Sequence, residues 1–208
     1  TWEGEESNKM RVHNGVDGFF GGDRTKIELP EVQQNALIEI SKTGKPIIFV
    51  LLAGSAISFN GLEDKLDGIL AAWYPGQRGG DAVADVLFGK YNPAGRLPIT
   101  FYSSTNELGD FEDYNMRAGK GLTYRYYNGE ALFPFGHGMS YTKFQYSGLT
   151  INSATVSNND EIYVSVKVKN IGELDGEEVV QLYIKDVKSN TWMPHKQLRG
   201  FARISLKK

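Results

Sequence analysis

Residues Leu66 to Gly89 read LDGILAAWYPGQRGGDAVADVLFG, and this stretch decides the fold class. Leu66 to Trp73 is apolar enough to be a buried strand, and Tyr74-Pro75-Gly76 stops it. Gly79-Gly80 then introduces a helix over Asp81 to Phe88, with Ala82, Val83, Val86 and Leu87 expected on its core side and Gly89 closing it. The same pattern stands just upstream. Leu29-Pro30-Glu31 is a helix start, with proline at the first turn and an acid after it. Val32, Ala36, Leu37 and Ile40 fall at helical spacing, and Thr43-Gly44-Lys45-Pro46 ends the helix. Ile47 to Leu52 is a continuous β-branched and apolar run, as in a strand covered on both faces of a parallel sheet. A further short strand is expected at Leu97 to Phe101. Strands alternating with helices make this part α/β, a mainly parallel sheet flanked by helices.

From Tyr102 to about Ser140 no period is sustained, and Gly, Asn, Asp and Tyr dominate. A connection this long is usually functional or joins domains. After Tyr141 the pattern changes again. Glu161 to Asn170 alternates apolar and polar residues, Val179 to Ile184 follows across a turn-rich connection, and Leu198 to Leu206 reads as one more strand. These are antiparallel, half-buried strands of a β-sandwich, too few to complete seven. The expected organisation is therefore residues 1–101 as an incomplete α/β sandwich, 102–140 as a connecting region, and 141–208 as the start of a β-sandwich domain.

Composition narrows the function classes. The 208 residues carry 23 basic and 25 acidic side chains, a net charge of −2. That balance argues against electrostatic capture of nucleic acid or of an anionic membrane. The longest apolar run, Pro46 to Ala53, suits a buried strand and not a membrane span. Cysteine is absent, which removes thiolate chemistry. His13, His137 and His195 show no metal-ligand spacing, and Gly18, Gly21 and Gly22 follow no strand and form no dinucleotide fingerprint. No metal or organic cofactor is expected. Glu3, Glu5 and Glu6 form a carboxylate cluster ahead of Gly22-Asp23-Arg24, either a solvated tail or groups that reach into a site. Thr1 is not an initiator Met, so sequence ahead of it, including a leader, is expected.

Five ordered stretches carry a family resemblance. They are Gly22-Asp23-Arg24-Thr25 with Ile27-Glu28-Leu29-Pro30; Ala72 to Gln77 with Gly79-Gly80; Ala84 to Gly89 with Asn92 to Pro98; Thr123-Tyr124-Arg125-Tyr126; and Phe133 to Thr142. In this order they resemble glycoside hydrolase family 3 over nearly the whole chain. Asp113 to Arg117 ahead of Thr123-Tyr124-Arg125 looks most like the β-xylosidase branch, with the β-glucosidase branch as close competitor.

The resemblance implies an N-terminal (β/α)8 barrel as partner, then an α/β sandwich and a fibronectin type III-like domain. It implies an exo-acting retaining β-glycosidase acting on an oligosaccharide or aryl glycoside. It also implies secretion or periplasmic export, and leaves a homo-oligomer open. Retaining glycosidases use two carboxylates about 5 Å apart, one as nucleophile and one as acid/base. By resemblance the nucleophile is an aspartate of the barrel, and the acid/base is a glutamate ahead of the Asp-Arg pair. Glu3, in Glu3-Gly4-Glu5, is the first choice and Glu5 the second. Ser7 to Gly22 lengthen the loop beyond the usual spacing. Asp23 and Arg24 are expected to pair and tie this loop to the helix at Pro30, and Trp73 to Gly76 to shape the turn before the second helix. The contrasting reading is a non-catalytic carbohydrate-binding or structural module.

Overall fold

The computed structural model describes residues 18–20, 23–157 and 159–208. It divides into two compact units, each assembled from separated stretches of chain. The first takes residues up to Ala84, Leu97–His137 and Ile184–Gln197; the second takes Asp85–Arg96, Gly138–Tyr183 and Leu198–Lys208.

The first unit opens with a two-residue hairpin, β1 (Phe19–Phe20) against β2 (Asp23–Arg24). Helix α1 (Glu31–Ser41) follows, starting after Pro30, and Gly44 takes a φ of 66° as the helix unwinds. Strands β3 (Ile48–Leu51) and β4 (Gly68–Ala71) pair in parallel, Ile48 opposite Gly68 and Leu51 opposite Ala71. Helix α2 (Gly79–Leu87) then begins on the glycine pair, and Gly89 closes it at a φ of 73°, donating to the Val86 carbonyl. The α/β reading of the sequence therefore holds. The core gathers Leu29, Leu37, Leu51, Ala53, Ile57, Phe59, Leu62 and Phe101. Phe49 meets Phe59 edge-on at 5.2 Å between ring centroids.

Three expectations need correction. Helix α1 buries Leu37, with Ile38 packed beside it, while Val32 is 73 % and Ile40 49 % exposed. The cause is polar: Gln34 turns inward, its amide donating to the Leu29 carbonyl at 2.6 Å and accepting from Asn60 at 3.2 Å. That rotates the apolar spacing away from the covered side. On α2, Val83 and Val86 are half-buried but Ala82 and Leu87 are exposed. Residues Leu97 to Phe101 form no strand of the parallel sheet. Phe101 and Phe133 instead make an isolated antiparallel bridge, and Leu97 exchanges backbone bonds with Gly136 and His137. Pro98 cannot donate to a ladder, so the segment pairs at its ends only.

The region after Tyr102 is a chain of turns fixed by long-range bonds. Glu107 accepts from Lys120 at 2.7 Å and from the Tyr127 hydroxyl at 2.8 Å. Burial first, then this carboxylate, push the Tyr127 phenol up to about 12. The Tyr102 hydroxyl accepts from the Thr123 amide at 2.7 Å, where α3 (Thr123–Tyr126) begins at a φ of 57°. Tyr126 meets Trp192 edge-on at 6.0 Å, and the His195 amide donates to the Arg125 carbonyl at 2.7 Å.

In the second unit β5 (Phe144–Ile151) pairs antiparallel with β6 (Val164–Asn170), with an irregular register between Ser147 and Thr150. Strand β7 (Gly176–Ile184) pairs with β8 (Gln197–Leu206). The alternation read from Glu161 onward appears as alternating exposure along β6. Arg96 holds Glu178 of β7 at 2.6 Å, with both side chains nearly covered, and the Tyr146 hydroxyl donates to the other carboxylate oxygen at 2.7 Å. Asn92 ties three strands of chain together: its amide donates to the Asp175 carbonyl, and its oxygen accepts from Ser140 and from the Tyr141 amide.

Candidate active site

Glu3 and Glu5, the expected acid/base candidates, lie outside the described residues, as does Glu6. The Asp23 side chain is outside them too, so the expected Asp23–Arg24 pair is not described. What the structure describes is the foot of the loop. There the β1–β2 hairpin is closed by the Thr25 amide, which donates to the Gly18 carbonyl at 2.7 Å. The Arg24 guanidinium lies 5.6 Å from the Phe19 ring centroid. It also donates to two backbone carbonyls ahead of it, Lys26 at 3.2 Å and Glu28 at 3.1 Å. Five donors in a planar fork let one arginine span the hairpin and the strand-like segment that follows.

That segment is locked on both sides. Leu29 donates to the Ser58 carbonyl at 2.9 Å and the Ser58 amide to the Ile27 carbonyl at 2.8 Å, a parallel bridge between Glu28 and Ser58. The fully buried Ser58 hydroxyl donates to the Ser103 carbonyl. The Glu28 carboxylate accepts from the Thr105 amide at 2.7 Å, the Thr105 hydroxyl at 2.6 Å and the Ser104 hydroxyl at 3.1 Å. Burial alone would raise its pKa. The hydrogen bonds from Thr105 and Ser104 outweigh that and hold it below the ordinary glutamate value. Glu28 is thus a permanent anion at neutral pH, an acceptor that fixes geometry and not a proton donor.

A pH dependence follows from that direction. A carboxyl whose folded pKa is depressed stabilises the fold above its ordinary pKa, and the contribution disappears as pH falls through the lower, folded value. Glu28→Gln is expected to cost about 1–3 kcal/mol at pH 7. Below pH 4.5, the ordinary value, the gap to wild type should narrow. Urea midpoints of both chains at pH 7 and in acid check this; a gap constant with pH would remove Glu28's charge from the anchor.

The sequence reading missed Glu28, Ser58, Ser104 and Thr105. The side-chain bonds that Glu28 and Ser58 make with Ser103 to Thr105 span 45 to 77 residues of chain, so local spacing does not reveal them. The one signal was the Ser103-Ser104-Thr105 run, rich in hydroxyls where a loop was expected. Trp73 to Gly76 does shape a turn, with positive φ at Trp73 (53°) and Gly76 (72°). Among the described residues no group of His, Asp and Glu is arranged to hold a metal, and no helix is long and apolar enough to cross a membrane.

Known proteins supply the frame for this geometry. The profile of the glycosyl hydrolase family 3 C-terminal domain matches residues 1–141, and that of the fibronectin type III-like domain matches 178–208. Over 206 residues, 99 % of the chain, it is 48 % identical to a xylan 1,4-beta-xylosidase of Xylanibacter ruminicola, covering 22 % of that protein. It is 39 % identical over 194 residues, 88 % of the chain, to a periplasmic beta-glucosidase of Salmonella typhimurium, covering 25 % of it. The structure superposes on the Beta-D-glucoside glucohydrolase from Trichoderma reesei with a TM-score of 0.79 at 27 % identity, over 93 % of this chain and 31 % of that one. The chain thus spans between a fifth and a third of the length of these relatives. With the family profile matched over residues 1–141, the chain belongs to glycoside hydrolase family 3, and carries its C-terminal domain together with fibronectin type III-like sequence.

Proposed function

We propose that this chain is the acid/base-bearing part of an exo-acting retaining β-glycosidase, in the first place a β-xylosidase. The observation that carries the substrate choice is the 48 % identity, across 99 % of the chain, to a protein named xylan 1,4-beta-xylosidase. The β-glucosidase reading stands second, on the 39 % identity to the Salmonella typhimurium enzyme. The anchored hairpin supports a loop role for the residues ahead of it, because a proton donor must be held within hydrogen-bond reach of the leaving oxygen. On this reading Glu3, or Glu5 in its place, protonates the leaving group and then activates water. The nucleophilic aspartate comes from a (β/α)8 barrel of the same enzyme. The periplasmic relative supports a secreted or periplasmic location.

Hydrolysis of a panel of aryl glycosides, both α and β, by the full-length protein tests the reading. The β-xyloside is expected to be the best substrate and the β-glucoside the next. This 208-residue chain alone is expected to hydrolyse neither, because half of the carboxylate pair is elsewhere. Robust turnover by the chain alone would refute the shared site, and a preference for an α-glycoside would refute the reaction class.

A further inference from the structure

The parallel pair ends at Leu51 and Ala71, and beyond those ends lies an aromatic arrangement that no role above uses. Trp73 sits at a φ of 53°, the left-handed region, which a bulky side chain adopts at a cost of about 1–3 kcal/mol. Its own indole is half-buried and accounts for itself: it packs on the core and meets Phe101 edge-on at 6.4 Å. The reversed backbone matters for the next residue. It brings the hydroxyl end of the Tyr74 ring against Gly54, just past the end of the neighbouring strand. A Cβ at position 54 would fall 2.7 Å from Tyr74 Cε2, 2.9 Å from its hydroxyl oxygen and 3.1 Å from Cζ, so a larger residue there would push the ring aside. The turn is then pinned from the other side, where Pro75 lies so close to Gly79 that a Cβ there would fall 2.5 Å from the proline Cγ.

Packing does not explain this investment, because Tyr74 remains 66 % exposed. A strained residue, a glycine and a proline contact together set the hydroxyl end of one aromatic ring against backbone and leave most of the side chain open. Strain kept at one place by its surroundings points to function. In parallel α/β sheets ligands bind outside the carboxyl ends of the strands, which is where this ring lies. A tyrosine offers an apolar plane edged by a hydroxyl, and with only two side-chain torsions it has little rotamer entropy to lose on binding.

We propose that Tyr74 is a stacking platform for a pyranose ring of the substrate, on the leaving-group side of the scissile bond. This rests on the glycosidase reading above. The assignment to the leaving-group side follows from exposure: a sugar enclosed in a pocket loses most of its surface to protein, whereas a largely exposed ring suits the part of an oligosaccharide that trails out.

The test compares two substrates in the full-length enzyme. Xylotriose places a sugar on the platform, and methyl β-xyloside places only a methyl group there. For Tyr74→Ala, KM for xylotriose is expected to rise about tenfold, the effect of one lost aromatic contact, with kcat little changed. Both constants for methyl β-xyloside should stay at the wild-type values, which also shows that the variant folds. Tyr74→Phe should keep most of the affinity, and Gly54→Ala, which displaces the ring, should reproduce the selective loss. Equal losses on both substrates, or no loss on either, would overturn the platform. A wild-type enzyme that cleaves neither substrate would instead overturn the xylosidase reading, so the two failures are distinguishable.

Discussion

Replacing Glu3 with Gln in the full-length enzyme is expected to lower turnover on substrates with poor leaving groups by about two to four orders of magnitude. The amide keeps the shape of the side chain but can neither give nor take the proton. Cleavage of a strongly activated aryl glycoside needs little acid assistance, so its first step should suffer far less than that of an alkyl glycoside. Hydrolysis of the covalent intermediate, which needs the base, then becomes slow. Azide, a nucleophile that needs no deprotonation, should restore turnover and yield a glycosyl azide. Glu5→Gln is the matched variant. Whichever of the two shows the leaving-group dependence and the azide rescue carries the acid/base; normal turnover in both would place it on another residue. The stretch Ser7 to Gly22 between the candidates and Asp23-Arg24 is what makes both variants necessary.

The second large effect concerns stability. Glu178→Ala is expected to destabilise the second unit by about 3–5 kcal/mol, because it strands a covered arginine. Arg96 and Glu178 leave only 12 % and 11 % of their side chains exposed. Arg96 also donates to the Ala94 and Gly95 carbonyls, and the Tyr146 hydroxyl completes the carboxylate's set of partners. Burial, followed by the facing carboxylate, pushes the Tyr146 phenol up, so it stays a neutral donor throughout the working range. The remaining guanidinium would keep its desolvation cost without its counter-charge. Urea denaturation measures the loss. The double variant Arg96→Met with Glu178→Leu should recover much of it, since apolar pairs often replace buried ion pairs at little cost. A single-variant loss below about 1 kcal/mol would mean the pair behaves as a solvent-exposed one.

How much of this was legible in the sequence depends on the range of the interactions. Ile47 to Leu52 and the Tyr74-Pro75-Gly76 stop could be read locally, since strand, turn and helix signals each lie within a few residues. The helix ends at Gly44 and Gly89 followed from backbone conformation alone, and both residues take positive φ. The buried face of α1 was misread because hydrophobic spacing says nothing of Gln34, whose inward hydrogen bonds decide the orientation. Leu97 to Phe101 was misread because its partner, Phe133, lies far along the chain. The same limit governs the site. The order of motifs carried the family, but the Glu28 anchor depends on Thr105, 77 residues away, and the Tyr74 platform on a glycine 20 positions earlier that no turn or cap required.

The interleaving of the two units bears on how such enzymes can be recombined. The chain passes from one unit to the other at five places, after Ala84, Arg96, His137, Tyr183 and Gln197. A gene junction placed at residue 141, where the first family profile ends, would leave behind Ile184–Gln197. That segment brings Trp192 to Tyr126 and the His195 amide to the Arg125 carbonyl. Chimaeras that exchange the fibronectin-like part would therefore open the first unit as well. A fusion meant to keep the first unit whole has to carry Ile184–Gln197 with it.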